Sequence, residues 1–330
     1  MSVTHKYNGN KGFRLLSIYE RLNKGEVLSK QELATSYGVG EKTVQRDIDD
    51  LRAYLADEHQ FESEVALKYD RRKQGYYLIR FEREWLTNEE VLAICKILLE
   101  SRAFEKSEIK QLLEKLLIQA VPKDRKVVEN IINSEYSCYV PLKHRQKLLL
   151  PLWELSQSIV NCKILSFEYM RMDGVNRKHL VKPVAIMFSE YYFYLIAFIA
   201  DGSKEYPTVF RIDRMSNIID TTEKFTIPYS ELFSDGEFRK RVQFMYPGKL
   251  QKVIFEFNGP SIEAVLDRLP TAEILKESAG VYTIRAELFG NGIKMFLFSQ
   301  GSNIQVLSPP DFVTEMRAEV HKINERYERK

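Results

Sequence analysis

The chain has 330 residues, of which 44% are hydrophobic and 29% are charged, and this balance indicates a soluble globular protein of two or three domains rather than a disordered one. The net charge is only +3, so no overall basic field points to nucleic acid. The three cysteines are far apart in the sequence, which disfavours a zinc site or a disulfide framework. No signal core or membrane-spanning apolar run is present, so we expect a cytoplasmic protein without metal, cofactor or membrane.

The first predicted element is a helix over residues 13–23, which would pack beneath the elements that follow. Its apolar residues are Leu15, Leu16, Ile18, Tyr19 and Leu22. The first 46 residues also carry eight Lys or Arg against four Glu, a modest basic excess where DNA would dock.

Two helices joined by a glycine turn are predicted over residues 29–55. Ser29 is placed to cap the first helix, and Glu32 occupies the capping-box position. The Gly-Val-Gly turn at 38–40 ends this helix, because glycine adopts the positive φ angles of a sharp turn. A second helix starts near Glu41, and its predicted buried stripe is Val44, Ile48, Leu51 and Leu55.

The charges along the second helix suit a helix-turn-helix, whose second helix enters the major groove of DNA. Basic and polar residues come first. The acidic residues Asp47, Asp49 and Asp50 follow, which phosphates would repel, and we predict that they form a solvated helix face rather than a metal site. Lys42 and Arg46 can contact guanine or phosphate. Gln45 can pair with adenine, and Thr43 suits phosphate or a thymine methyl. A two-helix corner with solvated charges is the competing interpretation. The predicted DNA contacts in this region are Ser29, Lys30, Lys42, Thr43, Gln45 and Arg46.

Two short segments rich in β-formers, at 65–69 and 76–79, flank a basic turn and predict a hairpin. Three helices followed by such a hairpin predict a winged helix-turn-helix domain over residues 1–82. The tip residues Arg71, Arg72 and Lys73 are predicted to contact the DNA backbone, although a solvated turn would have the same composition.

Helices are predicted through a linker region at 83–161. The first of these helices begins at residue 87, and the others cover 109–121, 124–132 and 144–161. Pro151 would kink or break the last helix. None carries a polar motif at catalytic spacing. Because helix-turn-helix proteins usually span two half-sites about 34 Å apart as dimers, we expect a homodimer whose contact lies here or in the C-terminal region.

From residue 163 the hydrophobic pattern changes to period two. Segments at 163–169, 177–186, 191–199 and 208–213 predict short strands of a small barrel at 162–225. Arg211 and Asp213 would share a strand face, where they could form an ion pair. Otherwise a guanidinium on a central strand needs an anionic partner from elsewhere. A mostly polar linker is predicted at 226–247, and an α+β module at 248–330.

Four segments, in this order, resemble the bacterial WYL-domain transcription regulators. They are TVQRDIDDL at 43–51, EYMRMDGVNRKHLVKPVAI at 168–186, FYLIAF at 193–198 and FRIDRMSNI at 210–218. Phe193 stands where the family has the Trp of its name-giving triplet, and Gly40 stands where Ser is more usual. The resemblance implies an α+β multidomain protein with an N-terminal winged helix-turn-helix, a helical linker, an Sm/SH3-like β-barrel (WYL) and a C-terminal α+β extension.

The resemblance further implies that the barrel is a sensor for a nucleotide or a single-stranded nucleic acid. Carried onto this sequence, the ligand contacts would be Tyr169, Arg171, Lys178, His179, Tyr194, Arg211 and Arg214. Core packing is the alternative interpretation for Tyr194, and a structural role is the alternative interpretation for His179. The expected protein is a homodimeric repressor of a double-stranded DNA operator and not an enzyme. A nucleic-acid-processing enzyme and an architectural DNA binder without a sensor are the alternatives.

Overall fold

The computed structural model describes residues 10–23, 25–58, 65–80, 86–119, 125–226 and 233–328. The chain divides into two compact units, one formed by Met1–Arg102 with Lys106–Val140 and the other by Ala103–Glu105 with Pro141–Lys330. Helices and sheets are mixed, which confirms the α+β multidomain prediction. Within the described ranges, no helix combines the length and the apolar character needed to cross a membrane.

The first unit begins with three helices and a hairpin. These are α1 (Lys11–Asn23), α2 (Lys30–Tyr37), α3 (Glu41–Glu58), β1 (Val65–Asp70) and β2 (Gly75–Arg80). We call the hairpin β1–β2 the wing. The predicted α3 stripe is confirmed, because its four residues are buried in one core. The α1 prediction was wrong at Leu16, which is 67% exposed, since the buried face of this helix is set by Ile18 and Leu22.

The ends of α2 follow from the residues that flank it. The Ser29 hydroxyl accepts the Glu32 amide at 3.1 Å, and Gly38 adopts φ 63° at the other end. The Glu32 carboxylate contacts Arg21 at 2.7 Å, so the second half of the predicted capping box is replaced by an ion pair with α1.

Three more helices complete the first unit and pack on one another. They are α4 (Asn88–Ser101), α5 (Lys106–Gln119) and α6 (Arg125–Ser137). Thr87 and Glu90 form a reciprocal capping box at the start of α4. The buried side chains of these helices include Val91, Cys95, Leu99, Ile109, Leu113, Val128 and Ile132.

The second unit contains a five-stranded antiparallel sheet in the order β6-β5-β4-β3-β7. Its strands are β3 (Lys163–Met170), β4 (Asn176–Ser189), β5 (Tyr192–Ile199), β6 (Thr208–Arg211) and β7 (Met215–Lys224). The edge strands β6 and β7 are joined by one 3-10 turn, Ile212–Arg214. The four Cα–Cα steps from Arg211, the last residue of β6, to Met215, the first residue of β7, span at most about 14 Å. The two edge strands of a flat five-stranded sheet would lie roughly 19 Å apart. The sheet must therefore curl into a small barrel.

Helix α7 (Leu149–Val160) packs on this barrel, with Leu148 and Leu155 buried in the barrel core. The predicted start at residue 144 was wrong. Because α7 begins at Leu149, Pro151 lies in its first turn, where a missing N–H breaks no helical hydrogen bond.

The C-terminal part of the second unit is a four-stranded antiparallel sheet in the order β11-β8-β10-β9, covered by helices. The segment predicted as a polar linker contains a short helix whose Phe238 is buried with barrel residues Met187 and Ile196. The elements are α8 (Asp235–Arg241), β8 (Leu250–Phe257), α9 (Ile262–Arg268), β9 (Glu273–Ser278), β10 (Val281–Phe289), α10 (Ile293–Ser299), β11 (Ile304–Ser308) and α11 (Pro310–Glu328).

Candidate nucleic-acid interface and barrel site

The leading half of α3 presents the predicted DNA contacts on the face opposite its core stripe. Lys42 and Arg46 are exposed and Thr43 is half-buried, whereas Val44 and Ile48 are fully buried. This division follows from helical spacing, because residues three and four apart share a face. The face can therefore reach a DNA groove without disturbing the core.

Gln45 is engaged inside the protein rather than pointing away from it. Its side-chain oxygen accepts hydrogen bonds from Lys30 Nζ at 2.9 Å and from the Tyr76 hydroxyl at 3.0 Å. Its amide donates to Asp49 at 3.0 Å. Gln45 thus connects α2, α3 and the wing, and an adenine contact would require these bonds to be exchanged.

The acidic half of α3 is not the uniform solvated face that the sequence suggested. Asp47 is 1% exposed and accepts Arg14 Nε at 2.7 Å and Nη2 at 3.0 Å, while Arg14 itself is 5% exposed. The hydrogen bond to Asp47 raises the pKa of Arg14. Asp50 is on the surface and pairs with Lys11 at 2.6 Å. The buried pair fixes α1 against α3, so it sets the position of α3 on α1.

The wing is tied to the start of α2. The backbone N–H and C=O groups of Leu28 and Tyr76 exchange two hydrogen bonds of 2.8 Å. A Cβ at Gly75 would lie 3.2 Å from the Leu28 backbone and 2.5 Å from a Val27 methyl, so this close approach requires glycine. The tip residues Arg71, Arg72 and Lys73 are exposed, as predicted for a hairpin tip. They stand on a turn in which Asp70 accepts two backbone amides.

In the barrel, Arg211 has an anionic partner from its own chain. Its Nε and Nη2 donate to the two carboxylate oxygens of Asp213 at 3.0 and 2.7 Å. The guanidinium carbon lies 3.4 Å from the centre of the Tyr192 ring. Of the two interpretations drawn from the sequence, the structure contains the ion pair. The predicted setting was wrong, because β6 ends at Arg211 and is an edge strand, and Asp213 lies in the 3-10 turn that follows it. Nη1 makes no hydrogen bond to the described part of the chain, so it can still donate to a ligand.

Tyr169 and His179 belong to an aromatic cluster next to this arginine. The His179 ring centre lies 6.2 Å from that of Tyr169 and 5.0 Å from that of Phe210. The Tyr169 hydroxyl accepts the Arg211 amide at 3.2 Å. Burial lowers the pKa of His179, and the nearby positive charges of Arg177, Lys204 and Arg171 lower it further. Both effects favour the neutral form of the His179 ring.

The other predicted ligand residues occupy different positions. Arg171 and Lys178 are exposed on the β3–β4 hairpin, where Arg171 pairs with Asp173 at 3.2 Å. Arg214 is half-buried in the 3-10 turn. Tyr194 is paired with Arg211 in the sheet, and burial raises its pKa to about 12. Tyr169, His179, Tyr194 and Arg211 are thus close together, whereas Arg171 and Lys178 are exposed on the hairpin and Arg214 lies in the turn after Arg211.

Sequence reasoning missed two residues beside Arg211. One is Tyr192, and the other is His144, whose ring centre lies 6.4 Å from that of Tyr192. His144 Nδ1 accepts the Gln146 amide at 2.9 Å, so Nε2 carries the ring hydrogen. Nε2 is buried and has no hydrogen-bond partner among the described residues. Burial lowers the pKa of His144, while Asp213 raises it and Arg211 lowers it. His144 lies in a loop before α7, where no spacing rule could have identified it.

Comparison with known proteins identifies two domains. A family model for an HTH domain matches residues 14–77, and a family model for a WYL domain matches residues 152–219. No curated protein matches the chain. One similar solved structure is the proteasome accessory factor B/C (PafBC) of Arthrobacter aurescens, with 17% identity and a TM-score of 0.32 over 95% of this chain and 48% of that chain. The chain therefore spans about half the length of that protein. Another, described as a CRISPR Cas-related protein, has 15% identity and a TM-score of 0.38 over 88% of this chain and 74% of that chain.

The order of the two domains confirms the resemblance drawn from the four sequence segments. HTH and WYL domains together indicate a DNA-binding regulator, and both are typical of regulators rather than of enzymes. The chain has the architecture of a WYL-domain helix-turn-helix transcription regulator.

Proposed function

We propose that the protein is a homodimeric transcriptional repressor that acts in the cytoplasm. Helix α3 binds a duplex operator, and the barrel binds a nucleotide or a single-stranded nucleic acid that changes operator affinity. The observation that supports DNA binding most strongly is the outward face of α3. Lys42, Thr43 and Arg46 share this face, while Gln45 holds the wing beside it.

The DNA complex follows from the placement of these elements. Lys42 and Arg46 enter the major groove, where an arginine can donate two hydrogen bonds to one guanine. Arg71, Arg72 and Lys73 at the wing tip contact phosphates beside the groove and set the register without reading bases. Ser29 and Lys30 lie at the start of α2, where a helix-turn-helix approaches the backbone.

Two unused donors beside one ring support a ligand in the barrel. The Arg211 guanidinium and the His144 ring both lie next to Tyr192, and the Tyr169 hydroxyl accepts the Arg211 backbone amide. A phosphate would accept from Arg211 Nη1, and also from His144 Nε2 if the side chains that bury this nitrogen move on binding, while a base would stack on the exposed part of the rings. Arg171, Lys178 and Arg214 would add positive charge to the barrel.

The experiment titrates ATP and a short single-stranded DNA into the protein bound to duplex DNA from its own upstream region. We expect a shift in duplex affinity that Arg211→Ala removes. His144→Phe is the companion variant, because it keeps an aromatic ring beside Tyr192 while it removes the Nε2 donor, together with the Nδ1 acceptor of the Gln146 amide. It should weaken the effector at least about fivefold. A duplex affinity that neither effector changes would contradict the sensor.

An architectural DNA binder without a sensor is the second candidate function. The Arg211–Asp213 ion pair favours it, because the half-buried guanidinium already has a carboxylate partner within its own chain. This candidate predicts that, at fixed salt, Arg211→Ala does not change how duplex affinity responds to ATP or to the short single strand, so the same titration separates the two functions.

A further inference from the structure

Helix α11 extends past the core that holds its first half. Phe312 and Met316 are buried against the C-terminal sheet, but every residue from 317 to 328 is exposed. Three of these exposed residues are nevertheless large and apolar, since Val320 is 54% exposed, Ile323 41% and Tyr327 87%. A helical extension of three turns has little stability of its own in water. Its apolar residues therefore need a partner surface.

The apolar residues of α11 follow a heptad. Val313, Met316, Val320, Ile323 and Tyr327 alternate at spacings of three and four, as in the a and d positions of a coiled coil. The face that is buried on the sheet in the first half of α11 thus continues along the exposed half. Such a seam fits another helix with the same repeat.

A groove of about 500 Å³ lies beside this seam. Its walls are β11, through Ile304 and Val306, and α11, through Val313, Met316 and Val320. β11 is an edge strand of its sheet, so no strand in the described part of the chain covers this side. The groove is large enough for an aromatic side chain brought in by a second helix.

We propose that α11 pairs antiparallel with α11 of a second copy of this chain. The first half of α11 is occupied by its own sheet, so the overlap is confined to residues 316–327. The two-fold axis then passes between residues 321 and 322. Val320 faces the partner's Ile323, and the partner's Tyr327 faces Met316 at the mouth of the groove.

The flanking charges select this partner and this direction. Glu319 and Arg326 both occupy g positions, and in an antiparallel pair g positions face each other. Glu319 therefore lies opposite the partner's Arg326, and the two-fold axis repeats the pair. A parallel pair would place Glu319 opposite Asn324 and lose both ion pairs. The same sequence thus supplies both charges of each contact.

This inference rests on the homodimer of the proposed function and assigns it an interface. Three paired turns bury less than the roughly 1,200–2,000 Å² of a standard stable interface. The dimer should therefore dissociate on dilution. Sedimentation velocity of the full chain between about 1 and 100 μM covers the relevant range.

The test is a charge swap. Glu319→Arg and Arg326→Glu should each weaken the dimer about tenfold, because two attractive contacts become repulsive. The double variant should return to within about twofold of wild type. Failure of the double variant to recover, or single variants that dimerise like wild type, would overturn the antiparallel pairing.

A second pair of variants checks the seam itself. Ile323→Glu should abolish self-association, while Leu275→Glu, at an exposed apolar position on the opposite edge strand β9, should leave it intact. Circular dichroism confirms that both variants are folded. A dimer that survives Ile323→Glu would refute this interface but not the homodimer. A wild type that is monomeric at every concentration would refute the homodimer itself.

Discussion

The buried ion pair between Arg14 and Asp47 predicts how much stability is lost when the contact between α1 and α3 is broken. The two side chains are 5% and 1% exposed and share two hydrogen bonds of 2.7 and 3.0 Å. Asp47→Ala leaves the Arg14 guanidinium buried without its carboxylate. Removing one partner of such a pair typically costs about 3–5 kcal/mol. This is a large share of the roughly 5–15 kcal/mol that holds a domain folded.

Hydrogen-exchange mass spectrometry of peptides from α1 and α3 measures this loss locally, which suits a chain with several domains. Asp50→Ala is the matched control, because Asp50 lies on the same helix and pairs with Lys11 at the surface. It should cost less than about 1 kcal/mol. The apolar pair Arg14→Met with Asp47→Leu should recover most of the loss. Equal effects of Asp47→Ala and Asp50→Ala would refute the reasoning.

Three further predictions concern the wing contacts and the barrel. Gln45→Ala removes the hydrogen bonds to Lys30 and Tyr76, so it should weaken binding to every duplex alike, by about 1–2 kcal/mol. Fluorescence anisotropy on a panel of duplexes measures this loss. A loss confined to duplexes with one particular base would contradict the prediction and make Gln45 a base-reading residue. Replacing Arg71, Arg72 and Lys73 together by Ala should reduce the slope of log K against log salt by about 2–3, and an unchanged slope would exclude wing–phosphate contacts. Burial raises the pKa of Tyr194 from 10.0 to about 12, so the folded state disfavours the phenolate. The stability that Tyr194 contributes is therefore complete below pH 10 and is lost as the pH rises from 10 to 12. An ultraviolet titration compared with Tyr194→Phe should show this ionisation near pH 12, and ionisation near pH 10 would contradict the burial.

The helix-turn-helix could be predicted from the sequence because its determinants are local. The α3 stripe repeats at helical spacing, Ser29 and Gly38 mark the ends of α2, and the wing lies between β-rich segments. The Arg211–Asp213 pair could also be predicted, since its members are only two positions apart in the sequence.

What could not be predicted depends on contacts between distant residues. Asp47 was assigned to a solvated face because nothing in its own helix indicates Arg14, which lies 33 residues earlier in the sequence. Gln45 gained its role from α2 and the wing together. The strand β7 was missed because most of its residues are exposed, so its sequence shows no clean alternation. His144 lies in a loop, and its neighbours Tyr192, Arg211 and Asp213 come from segments at least 48 residues later in the sequence.

The central claim is that α3 enters the major groove of DNA with Arg46 on base edges. Methylation protection measures this directly, because dimethyl sulfate modifies guanine N7 in that groove. For wild type on duplex from its own upstream region, we expect protected guanines in two half-sites about 34 Å apart. Arg46→Ala should lose protection at the same guanine in each half-site, while Arg285→Ala, on the C-terminal sheet, should leave the pattern unchanged. An identical protection pattern in wild type and Arg46→Ala would contradict the account.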